Sequence, residues 1–177
     1  VMLPTACQHG SMTSDPPVSA PIDSVEFRAV LGHFATGVTV VTAQHDGALA
    51  GLAANAFSSV SLEPPLVLMC VALTSRTWPL VRASGAFAVN FLGEDQEDVC
   101  RRFGAREGDR FAGAAWKAGV TGSPLLSGAL AYVDCRIEAE HEAGDHLIVV
   151  GRVVDLGRLA EGRPLIFWRG TYVRLAE

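Results

Sequence analysis

The sequence lacks any apolar run long enough to cross a bilayer. Its longest, such as "PLVLMCVAL" over 65–73, falls far short of the ~20 residues a spanning helix needs. It also lacks a basic cluster, and its formal net charge is −5, which argues against nucleic acid as the main partner. Cysteine is sparse. Cys7, Cys70, Cys100 and Cys135 show no C-x-x-C spacing, and two of them lie within apolar strand patterns, where Cys behaves as a small hydrophobe. Neither a disulfide scaffold nor a zinc site is indicated. No lysine-led apolar signal segment is present, so the expected location is cytoplasmic. There is no G-x-S-x-G, P-loop or Rossmann glycine pattern, which leaves hydrolase and NTPase readings without a motif.

What is present describes one globular domain. The chain has 177 residues, of which 49% are hydrophobic and 19% charged, enough to bury a real core. A mean hydropathy of +0.28 suggests that some apolar surface is covered by a second subunit. Residues 1–21 carry Pro, Ser and Thr with no sustained period and read as a flexible leader, in which "GSM" at 10–12 fits either a cloning scar or a start codon preceded by extra sequence. Residues 22–177 form the domain.

Asp23 followed by Glu26 is a capping-box-like helix start. Phe27, Val30, Leu31 and Phe34 then repeat as one helical face, which Gly32 weakens and Gly37 ends. "GVTVVTAQ" alternates like a strand, "HDG" at 45–47 is a hairpin turn, and "ALAGLAA" returns. "PLVLMCVAL" reads as a strand buried on both faces. "SRTWPLVRASG" is a short helix with Ser75 or Thr77 as cap and Gly85 past its end. "AFAVNFL" is a strand, and "EDQEDVCRRFG" is a helix with acids first and arginines last. "ALAYVDCRIEAEHEA" and "HLIVVGRVVDLGRL" are long strands joined at 143–145, and "PLIFWRGTYVRL" holds two short strands. Six to eight mostly antiparallel strands with few helices imply a mainly β fold, an antiparallel barrel with short peripheral helices, because closure removes exposed edges.

Two stretches invite a ligand. "TSRTW" at 74–78 offers hydroxyls, helix N-terminal amides and Arg76, the parts of a phosphate site; it equally fits a well-capped helix. "LAANAFSS" at 52–59 has small residues and open backbone suited to a flat ring with polar edges, or to a tight loop packed on itself. Together they would describe a nucleotide lying across strand ends. "EAEHEAGDH" at 138–146 superficially resembles a metal-ligand set. A turn divides its two histidines and strand period two scatters its side chains, so it reads as a solvated turn, with no metal site expected. His146, first in an apolar strand after Gly-Asp, is placed to face a site.

In order, "FATGVTVVTA", "ANAFSSVSLEPPLVLMCV", "SRTWPLVRASGAFAVNFL", "DVCRRFGAREGDRFAG", "SPLLSGALAYVDCRIEAEHEAGDHLIVVGRVVDL" and "PLIFWRGTYV" resemble the flavin reductase-like family, over Phe27 to about Val173. The resemblance implies a split antiparallel β-barrel of the FMN-binding kind, usually a homodimer. It implies NAD(P)H-dependent reduction of FMN or FAD, with the reduced flavin released to a partner monooxygenase. By the same motifs, Ala53, Ala54, Asn55, Ala56 and Ser58 would line the isoalloxazine, and Cys70, Val71 and Ala72 would flank the ribityl chain. Ser75, Arg76 and Thr77 would hold phosphate, with Arg102 and Phe103 closing over that end. Gly144, Asp145 and His146 match the nicotinamide-side motif, with Tyr172 nearby, and His146 is expected to orient the nicotinamide rather than act as an obligatory acid or base. No arginine is clearly placed for a 2′-phosphate, which favours NADH over NADPH. The alternative is a tight flavin- or haem-binding barrel without diffusible-flavin reductase activity.

Overall fold

A computed structural model describes residues 21–176; the leader expected over 1–21 lies, apart from Pro21, outside the described residues. The first helix, α1, spans Ser24–Leu31, and Asp23 caps it as expected, its carboxylate accepting the Glu26 N–H at 3.1 Å. It ends at Gly32, earlier than Gly37. Its apolar face is not buried in the chain: Phe27, Val30, Leu31 and the following Phe34 are all more than half exposed. The helical period is as expected, but the face it makes is not packed into this chain's core.

A short strand β1 (Thr36–Gly37) leads into β2 (Thr39–His45) and β3 (Ala48–Ala54), joined at Asp46-Gly47, both with positive φ (48° and 80°), as a tight hairpin requires. Next come β4 (Phe57–Leu62) and β5 (Pro65–Ala72), then helix α2 (Trp78–Ser84), strand β6 (Ala86–Phe91) and helix α3 (Glu97–Gly104). A small hairpin β7 (Trp116–Ala118)/β8 (Pro124–Leu126) precedes the long hairpin β9 (Ala131–Ala143)/β10 (His146–Arg158). The described chain closes with β11 (Ile166–Trp168) and β12 (Thr171–Val173).

The main sheet has seven strands, all antiparallel, in the order β3-β2-β6-β9-β10-β5-β4. Its two edge strands, β3 and β4, are consecutive in sequence and separated only by Asn55 and Ala56. In a flat sheet those edges would stand about 29 Å apart, whereas three residue steps reach at most about 11 Å. The sheet must therefore curl until its edges nearly meet, which makes it a barrel that is split where β3 hands over to β4. The Cys70 N–H donates to the Ala56 carbonyl at 3.0 Å, securing the handover to β5.

Inside the barrel lie Val41, Val67, Met69, Val71, Phe87, Val89, Val149 and their neighbours, with Trp78 and Val81 of α2 plugging one end. Each fully buried side chain of this size contributes roughly 1.5–3 kcal/mol. Glu140 of β9 ties α2 down, accepting from Trp78 Nε1 (3.0 Å) and Arg82 Nε (3.1 Å). A second core outside the barrel joins Val38, Val40, Leu92, Cys100, Phe103, Leu126 and Leu165.

Two expectations need correcting. β5 is not buried on both faces: Val67, Met69 and Val71 are buried, but Leu66, Leu68, Cys70 and Ala72 are only half-buried, because that face borders a cleft. Of the two readings open for 52–59, the tight loop packed on itself does not hold from Phe57 on, since Phe57–Leu62 pairs along β5 as an edge strand.

Candidate active site

Two clefts lie at opposite ends of β3. The first, about 1280 Å3, opens at the split of the barrel and is bordered by Asn55, Ala56, Ser58, Leu68, Cys70 and His146. Across from them stand Phe27 and Leu31 of α1, together with Thr36 and Phe167. The second, about 540 Å3, is bordered by Gly51, Arg76, Thr77, Leu80, Arg110 and Phe111. From Gly51 to Asn55 is four strand residues, about 14 Å at ~3.4 Å each.

The first cleft is walled mostly by small or apolar groups, with Arg28 and Arg169 also on its border, and carries spare hydrogen-bonding capacity. Thr36 Oγ1 is buried there with no partner. The Asn55 side chain is exposed and has no hydrogen bond among the described residues. His146 opens β10, opposite Ala72 of β5 and Ala143 of β9. Its Nδ1 lies 2.6 Å from Asp145 Oδ1, which fixes the ring and leaves Nε2 for a ligand. The hydrogen bond to His146 and its charge, with a lesser contribution from Arg28 of α1, hold the Asp145 carboxyl below its usual range.

The second cleft is cationic. Arg110 bonds the Ala105 carbonyl through Nε (3.2 Å) and Nη2 (2.8 Å), and reaches the Gly51 carbonyl (3.1 Å) and Thr77 Oγ1 (2.5 Å) through Nη1. It therefore ties the 105–110 loop to β3 and to the start of α2. Arg76 is exposed and has no partner among the described residues. Ser75 Oγ accepts the Trp78 N–H at 3.2 Å, while Thr77, in the cap position, makes no side-chain cap bond.

The predicted site residues therefore divide into groups. Asn55, Ala56, Ser58, Cys70 and His146 meet at the first cleft, and Arg76 and Thr77 at the second. Ala53 and Ala54 lie on β3 between the two, and Gly144 and Asp145 form the turn beside His146. Val71 points into the barrel core, and Ala72 beyond it pairs with His146.

Phe103, expected to close over a phosphate, does not border the second cleft. It is 1% exposed and lies behind two residues of that cleft, its ring pressed against Gly51, where any Cβ would collide with the ring, and edge-on to Phe111 at 5.0 Å. The cause is the amphipathic α3, which buries Cys100 and Phe103 one turn apart. Arg102 points to the same loop, donating to the Ala112 carbonyl at 2.7 Å. Tyr172 belongs to the second core, 3.1 Å from Cys100 Sγ and under Arg101, and burial pushes its phenol up to about 12. The sequence reading missed Arg110 and Thr36. Arg110 sits among Gly and charged residues in "AREGDRF", and its role comes from bonds to residues 51, 77 and 105, which no local pattern reveals.

Two clefts joined by one strand of a split antiparallel barrel, with arginines at both, suit a protein that binds an extended anionic ligand such as a nucleotide. The chain belongs to the flavin reductase-like family, whose "Flavin reductase like domain" model matches residues 31–176. It is 49% identical to the reductase subunit HsaB of a flavin-dependent monooxygenase from Rhodococcus jostii, over 91% of this chain and 83% of that one. The crystal structure of nitrilotriacetate monooxygenase component B from Mycobacterium thermoresistibile superposes with a TM-score of 0.84 at 45% identity, covering 86% of each chain. An NADH:FAD oxidoreductase from Streptomyces globisporus, in complex with NAD and FAD fragments, gives 0.83 at 39% identity, over 87% of this chain and 93% of that one. The residues present fit a flavin: a buried hydroxyl without a partner and a free amide border a cleft of small and apolar residues edged by Arg28 and Arg169, and Arg76 and Arg110 border a second cleft about 14 Å along β3.

Proposed function

We propose that this protein is an NAD(P)H-dependent flavin reductase that binds FMN or FAD along β3 and passes reduced flavin to a separate flavin-dependent monooxygenase. The observation that carries this reading is the pairing of the two clefts through one strand, about 14 Å apart. When both substrates are bound, the dihydronicotinamide transfers a hydride to the flavin ring, and the protein's task is position and electrostatics.

The chain's own residues then have separate duties. The backbone of Ala53–Ala56 gives the ring a floor that bulky side chains would block. The Asn55 amide, Ser58 hydroxyl and Thr36 hydroxyl offer hydrogen bonds to its polar edge. Cys70 flanks the ribityl chain with its side chain, and Val71 and Ala72 do so with their backbone. Ser75, Arg76 and Thr77 hold the phosphate. Phe27 and Leu31 of α1 exclude water from the first cleft. Gly144, Asp145 and His146 form the nicotinamide side, with His146 oriented by Asp145.

The competing reading, a tight flavin- or haem-binding module, has no observation in its favour. A homodimer is supported by the exposed apolar face of α1 and by Leu62 and Leu156, 90% and 65% exposed on the barrel's outside. No helix among the described residues is long and apolar enough to cross a membrane. A cytoplasmic location is supported by the free thiols of Cys70, Cys100 and Cys135.

The test is NADH and NADPH oxidation by flavin-free protein, with FMN, FAD and riboflavin added in turn. Oxidation that depends on added flavin and prefers NADH is expected. Failure with all three flavins would refute the reading.

A further inference from the structure

Two hairpins of this chain share a turn and fill it differently. Between β2 and β3, His45 pairs with Ala48, which leaves Asp46 and Gly47 as a two-residue loop with φ of 48° and 80°. Between β11 and β12, Trp168 pairs with Thr171, which leaves Arg169 and Gly170 with φ of 49° and 81°. Both positions of such a turn need left-handed backbone, which Gly, Asn and Asp adopt readily and a long side chain does not. Among the described residues, Asp46 and Arg169 are the only non-glycines at positive φ. Asp46 is an ordinary choice there. Arg169 is not, and a residue held against its backbone preference points to a task for its side chain.

The surroundings show where that side chain stands. Arg169 borders the first cleft, as Arg28 does. Its N–H donates to the Gly32 carbonyl at 2.8 Å, which fastens the turn to the end of α1. Its guanidinium lies over the Trp168 ring, 5.4 Å from the centroid, and Trp168 Nε1 donates to the His33 carbonyl at 3.2 Å. The cation is thereby held at the rim of the cleft. The charge of Arg28 already acts on the Asp145 carboxyl, whereas Arg169 has no carboxylate partner among the described residues.

Both substrates of the proposed reaction carry phosphate. The flavin phosphate is assigned to Arg76 and Thr77, at the far end of β3. The hydride donor brings a diphosphate of its own to the first cleft, where its ring lies beside His146. We infer that Arg169 binds that diphosphate, and that its unfavourable backbone is kept because it holds the guanidinium at the rim where the dinucleotide leaves the cleft. The inference rests on the flavin reductase reading, which puts the hydride donor in this cleft.

The turn supplies its own test. Arg169→Asn removes the charge and gives the turn a favoured residue. It should raise the melting temperature by about 2 °C. The KM for NADH should rise about tenfold with kcat nearly constant, the size of one charged hydrogen bond. Arg169→Lys should recover part of the NADH affinity. N-benzyl dihydronicotinamide, a hydride donor without phosphate, should be oxidised equally well by parent and variant. Dissociation constants for FMN and riboflavin, read by fluorescence quenching, should not move. An unchanged KM for NADH, whatever the melting temperature does, would overturn the inference and leave Arg169 a part of the turn. Equal loss with the phosphate-free donor would overturn it too. So would weaker FMN binding with riboflavin unaffected, which would bring the flavin phosphate to this cleft. If the unaltered protein oxidised neither donor with any flavin, the flavin reductase reading itself would fall, a result distinct from a failure of Arg169.

Discussion

At its Asn55 end β3 meets a cleft of small residues, unpaired polar groups and apolar helix surface; at its Gly51 end it meets one built around two arginines. The first end has room for a flat ring beside β3, and its charge, Arg28 and Arg169, comes from α1 and from the turn after β11 rather than from β3 or α2. The second offers charge far from where any ring would react. The difference teaches how work is divided along one strand. On the function proposed above, the Gly51 end would contribute affinity, felt equally by ground and transition states, while the Asn55 end and His146 would decide whether the reacting rings meet.

The largest expected effect comes from filling the ring end. Ala56→Trp places a bulky group in the first cleft from an exposed position. At the upper range of overpacking costs, it should weaken riboflavin, FMN and FAD alike by about a hundredfold, with melting temperature nearly unchanged. If only the phosphorylated flavins suffered, the ends would be wrongly assigned.

At the other end, Arg76→Ala removes a charged hydrogen bond worth ~1.5–3 kcal/mol. It should raise the KM for FMN by about ten- to a hundredfold, with kcat nearly constant and riboflavin unaffected. Equal loss with riboflavin would contradict a phosphate role.

His146→Ala separates the two substrates at the ring end. It should lower kcat/KM for NADH by about tenfold, roughly one ordinary hydrogen bond with its geometry, and leave flavin affinity in place. A histidine that only packs the turn would instead disturb both substrates and lower the melting temperature.

A smaller effect is expected in thiol labelling. Cys70 is half-buried at the first cleft, whereas Cys135 is fully buried and its thiol is pushed up to about 12 by desolvation and then by Asp134. At mildly alkaline pH iodoacetamide should modify Cys70 and spare Cys135, and FMN should slow Cys70 labelling severalfold as read by peptide mass mapping. Labelling of Cys70 indifferent to FMN would move the flavin off β5.

The smallest effect concerns acid. Asp145 is held below its usual range in the folded protein by His146, so its contribution is present above the unfolded value and is lost as pH falls through the folded one. Asp145 is exposed, so melts of Asp145→Asn and the parent should differ slightly at neutral pH and converge under acid. A gap that widened on acidification would reverse the sign of this interaction.

Much of this frame was legible in the sequence, for reasons that also explain what was not. The β2/β3 hairpin announced itself through Asp46-Gly47, and the long β9/β10 hairpin through its turn at 143–145. β4 escaped notice because Phe57–Leu62 is an edge strand exposed along most of its length, with no buried alternation to betray it. The period of α1 was correct, yet period says nothing about what covers the face. The two faces of β5 look alike in sequence, since Leu68 and Cys70 are as apolar as Val67 and Met69. At the site, residues gathered in short motifs were visible. Arg110 was not, because its partners Gly51 and Thr77 lie far along the chain, and Thr36 was not, because only the fold brings its unpartnered hydroxyl to the first cleft.

The most direct test of the central claim is a crystal structure of the protein with FMN. The account predicts the isoalloxazine against the backbone of Ala53–Ala56, with its phosphate within hydrogen-bond distance of Arg76 and Thr77. A flavin bound with its phosphate in the first cleft, or away from β3 altogether, would contradict it.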